Sequence, residues 1–260
     1  ISANIQVWLP MLIVPLILSV ALPAGGVLAI SLFGLKGREA ADLQEWLKML
    51  PPEVLAPIQA RWGTLEQQVV FLMVNFMLPL FLLIPVMTSM TIAADSFAGE
   101  KERGTLEGLL FAPIDLLSLF SGKVLAALLP ASVLSLISFT LSAVAINLAG
   151  WPIFRGAIFF PNVNWLPLML LVIPTISLAS VLVVVFISAR VSSFQAAYQT
   201  GGLFALPVIG LLVGQATGLL ILNAWVSTLV GILLLLLDLG LLRLAVRGLD
   251  RRRLFETQIR

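Results

Sequence analysis

Six long apolar segments, separated by short charged ones, dominate this 260-residue sequence. A helix that crosses a membrane needs about 20 apolar residues in a row. The segments predict spans over about 7–33, 69–94, 124–149, 165–188, 201–222 and 224–243. Lipid offers backbone groups no hydrogen-bond partner, and the short alternating pattern of a membrane β-barrel is missing. The sequence therefore predicts an all-α integral membrane protein with six transmembrane helices in one domain, 1–260.

Composition supports this fold class. Charged residues make up 11% of the chain, whereas a soluble domain carries about 25%. Mean hydropathy is +1.10. Each predicted span is long enough to cross the hydrocarbon. The fifth and sixth spans share one apolar region, and the division between them falls between Gly214 and Trp225. The deficit of charge excludes a water-soluble enzyme or binding domain of ordinary composition.

The distribution of positive charge orients the spans. Cytoplasmic loops carry an excess of Lys and Arg. One set of connections and the tail at 244–260 hold ten of these residues, Lys101, Arg103, Lys123, Arg190, Arg243, Arg247, Arg251, Arg252, Arg253 and Arg260. The opposite set holds five, Lys36, Arg38, Lys48, Arg61 and Arg155. We therefore expect a multi-pass protein of the inner (plasma) membrane with both termini in the cytoplasm.

The ends of the chain add two expectations. The sequence begins at Ile1 without Met, so we expect a further cytoplasmic segment ahead of it, with a signal peptide as the alternative. In the tail, Arg251, Arg252 and Arg253 are typical of a helix end held at anionic lipid headgroups. Contact with a partner protein is the alternative for these arginines. Nucleic-acid binding is not expected for a tail this short.

The connection at 34–68 is too long for a simple turn. Leu43, Trp46, Leu47 and Leu50 lie at helical spacing, and Pro51 with Pro52 ends that pattern. A second amphipathic pattern follows, so we predict two short helices on the outer surface. They form either a structural cap, which we favour, or an exit gate or docking site for an extracytoplasmic partner. The connection at 151–164 is predicted to be a compact irregular loop.

Tryptophans cluster near the predicted membrane boundaries. Trp side chains favour the interface because their rings are amphipathic. We expect Trp8 at the inner interface and five others at the outer one, where they anchor helices: Trp46, Trp62, Trp151, Trp165 and Trp225.

The sequence offers no catalytic chemistry. His and Cys are absent, which excludes a Cys/His metal site, and no G-x-x-x-x-G-K-[ST] phosphate loop is present. We expect no enzyme activity, metal site or cofactor in this chain. Asp238 is the one acidic residue within a predicted span. We expect it to reach the headgroups or to pair with a nearby arginine, with an intramembrane transport site as the weaker alternative.

A charged island at 95–123 lies between the second and third spans. Charges from Glu100 to Arg103 precede apolar residues at helical spacing, which predicts a short amphipathic helix running from Glu100 to Leu110. Such a helix can rest its apolar face on the membrane domain and offer its polar face to a soluble partner. The pattern indicates a mechanical connector between the two.

The same island resembles the ABC-2 family of ATP-binding-cassette exporter permeases. The family pattern reads like G-E-[KR]-E-x-x-T-L-E-x-L-L-x-x-P followed by a Gly-Lys pair, which Gly122 and Lys123 match. The six-span layout and the large first loop are also similar. The resemblance implies a type V exporter-like permease, a partner ATPase that binds ATP and Mg, and a second permease copy or a related permease. It implies that the ATPase-coupling residues are Glu100, Lys101, Glu102, Arg103, Thr105, Leu106, Glu107, Leu109 and Leu110.

The leading functional hypothesis is therefore the permease subunit of an exporter whose ATPase is a separate chain. The first alternative is a membrane scaffold or signalling subunit that binds an ATPase and moves no solute. The second is an ion-coupled secondary carrier, which the scarcity of buried charge disfavours. The sequence identifies no substrate-binding residue.

Overall fold

A computed structural model describes residues 13, 16–105, 115–217 and 222–248. Within these ranges the chain is helical and contains no β-strand, as predicted. The helices in chain order are α1 (Ile17–Phe33), α2 (Gly37–Met49), α3 (Pro52–Arg61), α4 (Leu65–Glu102), α5 (Leu116–Ala149), α6 (Trp151–Phe154), α7 (Trp165–Ser188), α8 (Phe194–Gln215) and α9 (Ala224–Gly248).

Five helices of the described chain are long and apolar enough to cross a membrane: α4, α5, α7, α8 and α9. The helix α1 is also apolar, but its described part is shorter than the other five. Five long helices therefore support five of the six predicted spans, and the first predicted span is not confirmed.

Four helices extend beyond the predicted spans, and α9 does so by continuing from 243 to Gly248. The helix α4 continues past residue 94 to Glu102, α5 begins at Leu116 instead of 124, and α8 begins at Phe194 instead of 201. Charged and polar residues such as Glu and Lys are good helix formers, so a helix need not end where the apolar run ends. A serine N-cap at Ser193, whose side chain accepts from the Ala196 amide, begins α8.

The charged island also differs from the predicted structure, because its first charged residues continue α4 beyond the apolar run. Residues Asp95–Gly99 form a π-helical turn, and Glu100–Glu102 completes α4. Gly104 has a φ of 69°, a left-handed conformation that suits glycine and interrupts the helix before Thr105. A single short helix from Glu100 to Leu110 is therefore not found. The first charges belong to the end of a long helix, and residues 106–114 lie outside the described part.

The connection before α4 has the two predicted short helices. The first, α2, ends where Leu50 turns to an extended conformation, and Pro52 occupies the first turn of α3. Proline fits a helix start because its missing N–H would have no partner there. A capping box of Thr64 and Gln67 then begins α4.

The contacts divide the chain into two compact units. The first contains Ile1–Phe81, Ile137–Trp165 and Ile209–Asn223. Aromatic side chains fill its core: Trp165 makes edge contacts with Phe81 and Phe160, at 5.0 Å and 4.7 Å between ring centroids. Trp62 contacts Phe154 at 4.8 Å.

This core corrects part of the tryptophan prediction. Trp165 is fully buried and Trp62 nearly so, whereas Trp151 and Trp225 are exposed. The prediction of an interfacial anchor is wrong for the two buried rings, because neighbouring aromatic side chains cover them on the faces that lipid headgroups would contact. Hydropathy indicates where a residue lies along a span and not which way its side chain faces.

The second unit contains Leu82–Leu136, Leu166–Val208 and Ala224–Arg260. Its centre is α7, whose residues are buried on most sides, and α9 packs along it. The approach is close at Gly231, where a Cβ would lie 2.6 Å from the Leu171 side chain. At Gly201 of α8, a Cβ would lie 3.0 Å from Val184 and 3.1 Å from Met90. Glycine at these two positions lets the helices approach closely, as is common in membrane bundles.

Candidate functional site

The predicted coupling residues that the structure describes belong to one cluster, which we call the charged junction. It consists of Asp95, Glu100, Lys101, Glu102, Arg103, Thr105 and Lys123 with the backbone groups that they bind. All of it lies in the second unit. The junction joins the end of α4 to the start of α5 and to the segment between α7 and α8.

The connection to α5 runs through Lys123. Its ammonium pairs with the Glu100 carboxylate and donates to the Ser96 carbonyl at 2.7 Å. The ammonium also lies 5.2 Å from the centroid of the Phe97 ring, within cation–π range. The side chains of Lys123 and Glu100 are only 12% and 23% exposed. Low exposure reduces screening by water, so this pair holds the two helix ends together more firmly than a surface pair would.

The connection to α8 runs through Glu102. Its carboxylate accepts a hydrogen bond from the Phe194 amide at 2.8 Å, across 92 residues of sequence. The first N–H groups of a helix lack partners within the helix, and the helix dipole favours a negative charge there. Next to it, the Lys101 ammonium donates to the Val191 carbonyl at 3.1 Å. The end of α4 thus holds both sides of the turn that begins α8.

A third pair lies along α4 itself. Arg103 donates to the Asp95 carboxylate at 2.9 Å, and both side chains are about half exposed. The pair passes over Gly99, where a Cβ would lie 2.9 Å from the Asp95 carboxylate and 3.1 Å from the Arg103 guanidinium. The glycine of the motif therefore makes room for the ion pair. Thr105, the last described residue before 106–114, donates its hydroxyl to the Glu100 carbonyl at 3.2 Å.

Comparison with known proteins places this junction in a family. A family model described as ABC-2 family transporter protein matches residues 10–201. The match covers more than half of the chain and includes the whole junction. The chain belongs to the ABC-2 transporter family. No curated protein and no solved structure matches it.

Membership makes the chain a permease component of an ABC-type transporter and a multi-pass membrane protein. Members of the ABC-2 permease family are membrane components that work with an ATPase, in agreement with the absence of a phosphate loop. Of the predicted coupling residues of this ABC-2 permease, Glu100, Lys101, Glu102, Arg103 and Thr105 are described. The others, Leu106, Glu107, Leu109 and Leu110, and the anchoring residues Arg251, Arg252 and Arg253 lie outside the described ranges.

The described coupling residues also have partners within the chain. The resemblance implied that Glu100, Glu102 and Arg103 offer their charges to an ATPase, which stays a prediction. In the structure each of these side chains has a partner within the permease. Lys101, Glu102 and Arg103 remain exposed on their other sides, so their position allows contact with a soluble protein.

In the first unit, α2, α3 and the start of α4 line a half-open cavity of about 290 Å³. Its lining combines leucines with polar side chains, including Gln44, Lys48, Gln59 and Gln68. Leu47, which also lines it, is buried. The connection at 34–68 is thus folded and has a concave surface, to which the ABC-2 match assigns no ligand; its role as a cap stays a prediction.

Asp238 contradicts its sequence-based interpretation. The side chain is 1% exposed, and neither carboxylate oxygen has a hydrogen-bond partner among the residues that the structure describes. Arg243, the nearby arginine, is exposed and lies about 140° around the helix from Asp238. Within the described ranges the carboxylate neither reaches the surface nor pairs with an arginine, because the buried face of α9 packs against α7.

Sequence reasoning missed the partners of the junction. Lys123 appeared only as half of a Gly-Lys pair, and Val191 and Phe194 carried no signal because they contribute backbone atoms. Asp95 could have been found, because it precedes Arg103 by about two helical turns. It was missed because the predicted second span ended at residue 94, one residue before Asp95.

Proposed function

We propose that this chain is the permease subunit of an ATP-driven exporter, and that the charged junction carries motion from a partner ATPase into the spans. The observation that supports this most directly is the bond from Glu102 to the Phe194 amide. It links the segment expected to contact the ATPase to a helix that lies far away in sequence.

The junction is suited to transmit displacement. Charge-assisted hydrogen bonds are shorter and stronger than neutral ones, and several of them restrain a contact in more than one direction. Lys123 makes two such contacts to α4, and Glu102 and Lys101 make two to the start of α8. A push on the end of α4 therefore reaches α5 and α8 together.

The proposed assembly follows from the family. Two permease copies, or this chain with a related permease, each work with a cytoplasmic ATPase subunit that binds ATP and Mg. The junction and both termini face the cytoplasm of the inner membrane, and Lys101, Glu102, Arg103 and Thr105 lie at the ATPase contact. The helices α2 and α3 then lie on the outer side.

Sidedness can be measured directly because the chain has no cysteine. Two single-cysteine variants, Thr105→Cys and Gln59→Cys, are treated in intact cells with a membrane-impermeant thiol reagent. We expect only the Gln59→Cys variant to be labelled, and only the Thr105→Cys variant to cross-link to a co-expressed ATPase subunit. Labelling of Thr105→Cys from outside would refute the proposed orientation.

Coupling is tested with Glu102→Lys in proteoliposomes that contain the ATPase subunit. The matched control is Glu53→Lys, which reverses the charge of an equally exposed acid outside the junction, in the first turn of α3. We expect Glu102→Lys to lose permease-stimulated ATP hydrolysis while it still inserts and binds the ATPase, and the control to retain stimulation. The milder Glu102→Gln should lose part of it.

Unchanged stimulation in both Glu102 variants would count against the junction as the coupling element. Stimulation or binding of the ATPase without ATP-dependent movement of any solute would favour the scaffold alternative.

A further inference from the structure

The second unit contains a buried acid that the junction does not use. Asp238 lies inside α9, about 21 Å along the helix axis from its first residue, Ala224, and about 15 Å from its last, Gly248. The side chain is 1% exposed, and both carboxylate oxygens lack a hydrogen-bond partner in the described chain. An ionisable residue inside the membrane is a functional-site candidate, because its burial is costly.

The face of α9 that carries Asp238 is the one that packs against α7. Gly231 touches this helix at Leu171 and precedes Asp238 by seven residues, which puts the two on the same side of α9. Ser227 and Ala245 continue the buried stripe in both directions. Asp238 is therefore held between two helices and does not face lipid.

Among the residues that the structure describes, no positive charge balances the carboxylate there. The facing helix, α7, contains no Asp, Glu, Lys, Arg or His over its whole length. On α9 the charged groups are Arg243 and Arg247, both exposed, and they lie about 140° and 180° around the helix from Asp238. The two described ion pairs involve other residues.

The free-energy cost of burying an ionised carboxylate indicates which cation occupies the site. A charged side chain near the centre of a membrane helix costs about 2.5–3.5 kcal/mol on insertion scales. A metal ion would have to replace its water with several oxygen ligands, and the described chain has no group of three His, Cys, Asp or Glu side chains that could hold one. A proton needs only the carboxylate itself, and the resulting acid is neutral.

We infer that Asp238 is an intramembrane proton-binding site, occupied while α9 is packed on α7. The inference does not depend on the proposed exporter function, since occupancy is a property of the packed helices. A proton bound at this depth is released only when α9 separates from α7 far enough to admit water.

A hydrophobic carbodiimide tests the inference in the membrane-embedded chain. This reagent partitions into lipid and reacts with a protonated carboxyl group: a carboxyl oxygen bonds to the central carbon, and the carboxyl proton moves to a reagent nitrogen. We expect the adduct on the peptide that contains Asp238, and we expect it to decrease as pH is raised. The variant Asp238→Asn should lose this adduct completely, and Asp238→Glu and Ser227→Ala should keep it.

An infrared difference spectrum gives a second readout that does not require reagent access. The carbonyl band of a neutral carboxylic acid should be present in the wild-type chain and lost in Asp238→Asn. Absence of that band difference would overturn the inference. So would an adduct that is suppressed by added Na⁺ or K⁺ and insensitive to pH, because a metal cation would then be the occupant.

Discussion

The two ion pairs of the charged junction should differ in their contribution to stability, although they lie on the same helix end. The pair of Lys123 and Glu100 is 12% and 23% exposed, and the pair of Arg103 and Asp95 is 51% and 53% exposed. Breaking a buried pair costs about 3–5 kcal/mol. Exposed pairs contribute about 0–1 kcal/mol. For the partly buried pair we therefore expect a coupling energy of about 2 kcal/mol, between these limits.

The assay is a double-mutant cycle for each pair. Glu100→Gln, Lys123→Met and their combination form the first cycle, and Asp95→Asn, Arg103→Met and their combination form the second. The free energy of unfolding is measured in detergent micelles by tryptophan fluorescence during titration with a denaturing detergent. The coupling energy is the part of the double-mutant effect that the single mutants do not account for.

The single variants of the first pair should also be unequal. In Glu100→Gln the ammonium of Lys123 keeps its bond to the Ser96 carbonyl and its place beside the Phe97 ring. In Lys123→Met the carboxylate of Glu100 stays partly buried without its cation. We expect Lys123→Met to be the more destabilising of the two, because an uncompensated buried charge carries the full desolvation cost.

Two results would refute this reasoning. Equal coupling energies in the two cycles would mean that exposure does not set the strength of these pairs. A smaller loss of unfolding free energy in Lys123→Met than in Glu100→Gln would mean that the partly buried carboxylate is solvated in a way that the structure does not provide.

Two further predictions concern packing and a connecting loop. Gly231→Ala should destabilise the fold by about 1–3 kcal/mol, because its Cβ would overlap Leu171, whereas Gly240→Ala on the exposed face of the same helix should be neutral or slightly stabilising in the same unfolding assay. Asn162→Ala should cost about 1 kcal/mol, because Asn162 donates to the Asn75 side chain at 2.8 Å, and proteolysis of the loop at 151–164 should become faster. An unchanged unfolding free energy in Gly231→Ala would contradict the close approach to Leu171. An unchanged cleavage rate in Asn162→Ala would contradict the hydrogen bond to Asn75.

The helices and their order follow from local properties of the chain. Apolar runs of sufficient length must be helical in lipid, since each backbone N–H and C=O needs a partner within the segment. Pro51 and Pro52 separate α2 from α3 for an equally local reason, because proline lacks the N–H that a helix interior requires. The motif around Glu100 also indicated the ABC-2 family, since its spacing is readable along the sequence.

Contacts between distant segments could not be predicted in this way. The amide that Glu102 binds is 92 residues away, and the carbonyl that Lys101 binds is 90 residues away. Either side chain could have pointed to water, and only the packed position of α8 beside α4 brings these backbone groups within reach.

The sequence by itself determined that this chain is a helical membrane protein, roughly where its helices lie, and that its charges concentrate at their ends. The tertiary structure decided which way the special side chains face: Trp165 into an aromatic core, Asp238 into the contact between α7 and α9, and Glu102 onto the start of α8. The physical reason is that hydrophobicity constrains the depth of a residue along a span, whereas the rotation of a helix about its axis is set by the neighbours it packs against.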